Sequence, residues 1–433
     1  MTHRGAWVLG FVGAGVLGAG ALGAAVLGQS APAARVELGV AGRQNANASM
    51  AAVGNLVVIT WGAATEGGVT DVFAASSRDG GRAFAAPVRV NDLVGDARLS
   101  GEQPARVSLV PRTSADPSIV VTWTSKGEKG TRLMTARSDD GGKSFARATV
   151  VPGSDAAGSR GWESTTVDRE GHVIAMWLDH REAAAGSMAG MSGMNHDGQQ
   201  AIAGAPAKAD SVAKAQLSKL YIGGVAVTGG VCYCCKTALA TGPDGAIYAA
   251  WRHVYPGNIR DIAFTVSRDN SRTFAAPVRV SSDQWMIDGC PEDGPAIAVD
   301  RQNRVHIVWP TLVPGATPGA EPTPALFYAM STDGRRFTPR QRLPTERTPH
   351  HPQVVVRPSG ELVVAWDEGD AGTRRVAWAR GTPGATSMKF ARGGVVDRER
   401  AVYPALASTS SGVVLTWMGG PAEASHLGVQ TMP

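Results

Sequence analysis

Seven times along this chain a turn is followed by a short run of alternating apolar residues that ends in tryptophan. The segments are Gly54 to Trp61, Pro117 to Trp123, Gly171 to Trp177, Gly245 to Trp251, Asn303 to Trp309, Gly360 to Trp366 and Gly412 to Trp417. Their alternation and β-branched content specify strands. Successive tryptophans stand 62, 54, 74, 58, 57 and 51 residues apart. A period of this length with several short strands per unit predicts an all-β chain folded as a β-propeller of four-stranded antiparallel blades. Seven tryptophan strands predict seven blades, with six as the alternative because the third repeat is irregular.

Each unit parses further. A shorter apolar strand precedes the tryptophan strand, as in Ala296 to Asp300 and Val354 to Pro358, and a third strand follows it. That third strand ends four times in a similar turn: Ser77-Arg-Asp79 to Phe84, Ser138-Asp-Asp140 to Phe145, Ser267-Arg-Asp269 to Phe274 and, one residue shorter, Ser331-Thr-Asp333 to Phe337. A fourth strand, such as Val88 to Val90 or Val278 to Val280, completes the blade. After Trp417 only one more strand fits before the chain ends, so the segment Arg35 to Val40 is expected to supply the missing strand and close the ring, which removes open sheet edges.

The Ser-x-Asp-x-Gly-x-x-Phe turns are Asp boxes, and with them the chain resembles the sialidase-type (BNR-repeat) propeller superfamily over nearly all of its length after residue 33. The boxes speak for architecture: the Asp caps backbone N–H groups in a tight hairpin and the aromatic packs beneath the blade. Cys232-Tyr-Cys234-Cys235-Lys236-Thr237, followed by Cys290-Pro291-Glu292-Asp293-Gly294-Pro295, is similar to a pattern in exported bacterial members of that superfamily.

The first residues stand apart from the repeat. A short basic start, an uncharged run from Gly5 to Gly28 and small residues up to Ala33 read as a Sec-type secretory signal peptide covering residues 1–33, with an uncleaved anchor as the alternative. Residues 34–433 then form the propeller, placed in the periplasm or outside the cell. The long third interval holds an insertion, residues 183–215, rich in Ala, Gly, Ser and Met, and read as a flexible loop. Helical character is expected for one or two turns within 207–220. With 18% charged residues and a formal net charge of +5, the chain is core-forming and carries no polybasic patch for nucleic acid.

In a propeller the innermost strands begin near the axis, so segments that enter them from different repeats become neighbours. Alignment on the tryptophans brings together Asn45 to Asn47, Glu102-Gln103, Trp162-Glu163, Cys232 to Lys236, Cys290 to Asp293, His350-His351 and Arg400 to Tyr403. Thiolates and imidazoles gathered at one mouth suit a soft or borderline metal, copper above all. The expected ligands are Cys232, Cys234, Cys235, Cys290, His350 and His351. The insertion adds Met188, Met191, Met194 and His196, whose thioethers are soft ligands with no core to fill; this run resembles the Met-rich segments of periplasmic copper-resistance proteins. Metal handling, or assembly of an exported partner's metal centre, follows as the expected role.

Two other readings stand beside it. Exported cysteines usually pair, and a disulfide such as Cys235 to Cys290 would tie neighbouring blades and leave an interaction scaffold. The superfamily resemblance implies a glycan hydrolase or glycan-binding protein, with Arg252, Arg260 and Arg400 as carboxylate-binding arginines, Tyr403 as nucleophile, Glu163 or Glu102 as its base, and Asp293 or Asp179 as acid. Against that reading, the Arg-Ile-Pro motif of sialidases is missing ahead of the first Asp box.

Overall fold

The tryptophan cadence is the core. Trp61, Trp123, Trp177, Trp251, Trp309, Trp366 and Trp417 are all buried, and six of them anchor their indole N–H. The acceptors are Asn45, Asp96, Asp179, His253, Asp283 and Glu368, at 2.7 to 3.5 Å. A large apolar body with one satisfied polar edge suits the layer between two blades.

The computed structural model describes residues 35–113, 115–184, 210–287, 291–315, 321–370, 372–384, 387–396 and 399–432. The expected signal peptide, Met188, Met191, Met194, His196 and Cys290 lie outside them. The strands form seven sheets of four antiparallel strands each, the seven-bladed propeller expected from the repeat. The inner strands Gln44–Val53, Arg106–Arg112, Arg160–Val167, Ala238–Thr241, Ala296–Val299, Pro349–Val356 and Ala401–Ser408 neighbour one another in that order, and the last returns to the first.

Blade three is complete despite its irregular sequence, which removes the six-bladed alternative. Its inner strand Arg160–Val167 and Trp strand Val173–Asp179 are followed, after the insertion, by Lys219–Ile222 and Val225–Gly229 in the same sheet. A helix, Asp210–Leu217, occupies the stretch of expected helical character, and the next strand claims the rest. No helix among the described residues is long and apolar enough to cross a membrane.

The Asp boxes do what their sequence requires. Asp79 Oδ1 accepts the N–H groups of Arg82 and Ala83 at 2.9 and 3.0 Å, and Asp140 and Asp333 hold their own turns in the same way. In the third box Asp269 Oδ1 accepts the N–H of Thr273 at 2.9 Å.

Blade seven is closed by the first strand of the described chain. Val36, Glu37 and Leu38 pair antiparallel with Val429, Gly428 and Leu427, and Leu38 joins the buried cluster around Trp61. Deleting residues 35–39 is therefore expected to lower stability by about 3 kcal/mol, from lost apolar burial, and to promote aggregation through the opened edge. Urea denaturation and light scattering measure both effects, and an unchanged midpoint would show that this strand does not close the ring.

Candidate functional site

The inner strands are regular along most of their length and irregular where they begin. Register slips between Ala46 and Ser49, Gly161 and Ser164, His350 and Gln353, and Val402 and Ala405. Within or beside these bulges the backbone is left-handed at non-glycine residues: Asn47, Trp162, His351 and Tyr403 have φ of 60°, 53°, 52° and 53°, and Glu292 ahead of the blade-five strand has 54°. Bulky residues hold this conformation at a cost of roughly 1–3 kcal/mol each. The cost recurs at equivalent points of five repeats, and its effect is to re-aim side chains towards the axis.

Two glycines make the approach of the blades feasible. A Cβ on Gly101 would meet the Tyr403 ring at 2.1 Å, and one on Gly294 would meet the Lys236 carbonyl oxygen at 1.9 Å. The glycine in the Cys-Pro-x-x-Gly-Pro segment is thus a packing requirement.

The side chains that meet there are charged and buried. Asp293 receives His350 Nδ1 on one oxygen at 2.7 Å and the His351 backbone N–H on the other at 2.8 Å. His351 Nδ1 lies 2.7 Å from Asp367, which also accepts the Tyr403 N–H at 2.8 Å. The Tyr403 ring packs on the His351 ring, centroids 4.1 Å apart. His351 Nε2, free of Asp367, points towards Asp293 at 3.7 Å. Lys236 Nζ donates to the Pro352 carbonyl at 2.8 Å and stands 3.5 Å from Glu102 Oε2, an oxygen that accepts no hydrogen bond. One ligand atom each from Glu102, Asp293 and His351 lies within 4.8 Å of the other two. A cavity of about 80 Å³ opens beside them, lined by Glu102, Arg106, Lys236 and Tyr403 among others.

Burial and pairing set the charges. Burial works against a charged His351, but the Asp367 and Asp293 carboxylates outweigh it and lift its pKa to about 9. Burial pushes the Asp293 carboxyl up, and the two histidines more than cancel this, holding it below the usual carboxylate range. Glu163 goes the other way: burial raises it against the Thr124 hydroxyl bonded to it at 2.8 Å and the Arg106 charge. Burial lowers Lys236, opposed by Glu102.

Of the residues expected at the mouth, Glu102, Lys236, Asp293, His350, His351 and Tyr403 do meet. Asn45 instead ties the chain ends together, binding Val40 and Ser425 and taking the Trp61 indole. Arg252 gives a hydrogen bond from each of its three nitrogens to the carbonyls of Asp293, Arg260 and Pro310 and lies over the Trp285 ring, 4.4 Å from its centroid. Asp179 binds Arg160, Arg181 and the Trp177 indole. The cysteines are oxidised: Cys232 pairs with Cys235, and Cys234 is disulfide-bonded too. The expected Cys235–Cys290 bridge is thereby excluded, because a Cys-x-x-Cys hairpin brings the first and fourth sulfurs together inside one loop. Sequence reasoning missed Asp367 and Arg106. The only signal for Asp367 was its place directly after Trp366, where the strand emerges at the mouth.

The raised pKa of His351 makes a signed prediction. Its stabilisation is fully present below the unfolded value near 6.5 and is lost as pH rises through about 9. Chelator-treated protein should lose on the order of 3 kcal/mol between pH 6.5 and 9.5, and His351→Gln should abolish that slope in urea titrations.

No protein-family model matches the chain, and no curated protein matches it. Solved structures do. An α-L-arabinofuranosidase of Fusarium graminearum, in complex with arabinobiose, superposes with a TM-score of 0.52 at 12% identity, covering 93% of this chain and 97% of that one. An α-L-arabinanase of Penicillium chrysogenum gives 0.52 at 13% identity, covering 93% and 98%. A protein of unknown function from Dyadobacter fermentans gives 0.51 at 12% identity, covering 93% and 99%. At this identity the likeness concerns the fold alone, the seven-bladed β-propeller described above.

Proposed function

We propose that the axial mouth binds a divalent transition-metal ion, copper first, and that the protein handles or delivers that ion outside the cytosol. One observation carries the reading. Three ligand-bearing side chains from different repeats, Glu102, Asp293 and His351, converge with all three residues buried, and Glu102 keeps an oxygen without a hydrogen bond. The partner of that oxygen is the Lys236 ammonium, 3.5 Å away and beyond good hydrogen-bond length, a cation standing where an ion would add a second positive charge to the carboxylate. An ion bound there would take the place of the proton on His351 Nε2. Asp367 on Nδ1 already provides the outer carboxylate that orients metal-binding histidines. An imidazole with two carboxylates suits borderline divalent ions, and copper(II) heads the affinity order among them. His350, on the other oxygen of Asp293, is a further nitrogen donor beside the site. The Met188, Met191, Met194 and His196 run would serve capture or transfer of the ion to an exported metalloprotein; the axial site does not depend on it.

A second reading rests on the carboxyls. Glu163 is raised by burial while Asp293 is lowered by its histidines, a split that assigns acid and base in glycoside hydrolases. The structural neighbours named as arabinan-cleaving enzymes favour the same class. Against it, Arg252 is occupied by backbone carbonyls and the mouth cavity of about 80 Å³ is small beside ordinary ligand pockets of roughly 300–1,000 Å³.

Calorimetric titration of the metal-free protein with copper(II) and zinc(II) separates the two. Near-stoichiometric binding is expected, weakened at least tenfold in Glu102→Gln and His351→Ala and about 10- to 100-fold in Asp367→Asn. Absence of binding, together with turnover of an aryl arabinofuranoside or sialoside that Glu163→Gln abolishes, would replace the metal reading by the hydrolase.

A further inference from the structure

The cysteine cluster stands apart from the Glu102, Asp293 and His351 set and needs its own account. Cys232 and Cys235 close a disulfide across a Cys-x-x-Cys spacing, and Cys234 between them is bonded in a second one. The sulfurs of Cys232, Cys234 and Cys235 all lie within 4.8 Å of one another. A staple between blades would need one bond joining two blades. A bond joining residues three apart in one loop constrains very little chain, so its stabilisation by loop closure is small. Cys-x-x-Cys is instead the spacing at which thiol pKa values are commonly depressed and disulfides are exchanged.

The surroundings point the same way. The Arg260 guanidinium is fully buried and places Nη1 3.5 Å from Cys232 Sγ. A fixed cation at that distance favours the thiolate of Cys232 over its neutral form. His180 is 3% exposed, and its ring meets the backbone of Tyr233, between the cysteines. Its ring stands edge-on to Trp162, with centroids 6.0 Å apart, and Trp162 packs against the cysteine cluster. Burial, against the opposing charge of Asp179, keeps the His180 imidazole neutral by lowering its pKa to about 4.

We propose that Cys232–Cys235 is a thiol–disulfide exchange centre, with Cys232 as the thiolate held by Arg260 and a low-molecular-weight dithiol as the co-reactant. The attacking thiolate of the dithiol bonds to Cys235 Sγ. The Cys232–Cys235 bond breaks, and its electron pair leaves on Cys232 as a thiolate beside Arg260. The second thiol of the reductant, once deprotonated, attacks its own sulfur in the mixed disulfide, closes the reductant's disulfide and expels Cys235 as a thiolate. Two electrons pass from the dithiol, which is oxidised, to the cysteine pair, which is reduced; of the two protons the dithiol gives up, one goes to Cys235 and one to solvent, since Cys232 stays a thiolate. A low-pKa leaving group accelerates the first step, which is the use of Arg260. The cysteines are buried, so the fitting co-reactant is a small thiol and not a protein surface. This inference is independent of the metal reading and is tested without metal.

The test is performed on the whole folded protein with dithiothreitol as the probe, followed by alkylation and mass mapping, while circular dichroism reports the fold. Cys232 and Cys235 are expected to become alkylated with the fold intact. Alkylation that begins only with unfolding would overturn the proposal. The pH profile of Cys232 alkylation in the reduced wild-type protein should have its midpoint well below the free thiol value of about 8.5, and a midpoint at or above that value overturns the role of Arg260. Arg260→Gln should slow Cys232 alkylation at pH 7 about tenfold, with Arg260→Lys restoring most of the rate. Equal rates in all three proteins would likewise overturn the role of Arg260; should Arg260→Gln not fold, the wild-type pH profile decides alone.

Discussion

Closure of the ring is the constraint on which everything else rests. Three residue pairs between Val36–Leu38 and Leu427–Val429 join the two ends of the described chain, and Asn45 reinforces the junction by binding Val40 and Ser425. Without it, blade seven would be a three-stranded sheet with a free edge. With it, the inner strands are held in one circle, and residues hundreds of positions apart are brought within hydrogen-bond distance. Glu102, Lys236, Asp293, His351 and Tyr403 come from five repeats, and only a closed circle makes them neighbours.

The mouth concentrates cost. It holds left-handed backbone at Trp162, Glu292, His351 and Tyr403, buried carboxylates on Glu102, Glu163, Asp293 and Asp367, a buried cation on Lys236 and a half-buried one on Arg106. Each of these is unfavourable alone. They persist because neighbours compensate: Asp293 lies between His350 and His351, His351 between Asp293 and Asp367, and Lys236 between Pro352 and Glu102. Three of the Asp-box turns are capped by two backbone N–H groups each, and the Asp269 turn, with Asn270 and Ser271 left-handed, by one. Left-handed backbone also occurs elsewhere, at Asn258, Asn270, Ser271, Gln284 and Asn303; what sets the mouth apart is that there it coincides with buried, mutually paired charges.

The cysteines form a second centre with a different logic. The ion site is built from oxygen and nitrogen atoms of side chains that meet across the axis. The disulfide centre is local, made by one loop and the Arg260 and His180 side chains that surround it. Oxidation leaves Cys232, Cys234 and Cys235 without thiolates, so a soft-metal reading of these three residues requires prior reduction, whereas Glu102, Asp293 and His351 need only lose a proton.

The sequence by itself determined the propeller: tryptophan spacing, strand alternation and Asp boxes are local or periodic signals, and periodicity survives in one dimension. It also placed His350, His351, Asp293 and Tyr403 at one mouth, because register on the tryptophans is register on the axis. The tertiary structure alone decided which of these touch. Asp367 was invisible because nothing in the sequence distinguishes it from any acidic residue after a strand until His351 and Tyr403 arrive beside it. Arg252 had the right residue type at the right point in the repeat, yet backbone carbonyls of distant residues claimed it. The cysteine pairing was equally undecided, since four cysteines allow three pairings and only the loop geometry selects Cys232 with Cys235. Contacts across the axis depend on distances of a few tenths of an ångström between separate blades, and such distances are fixed by packing, which no single stretch of sequence encodes.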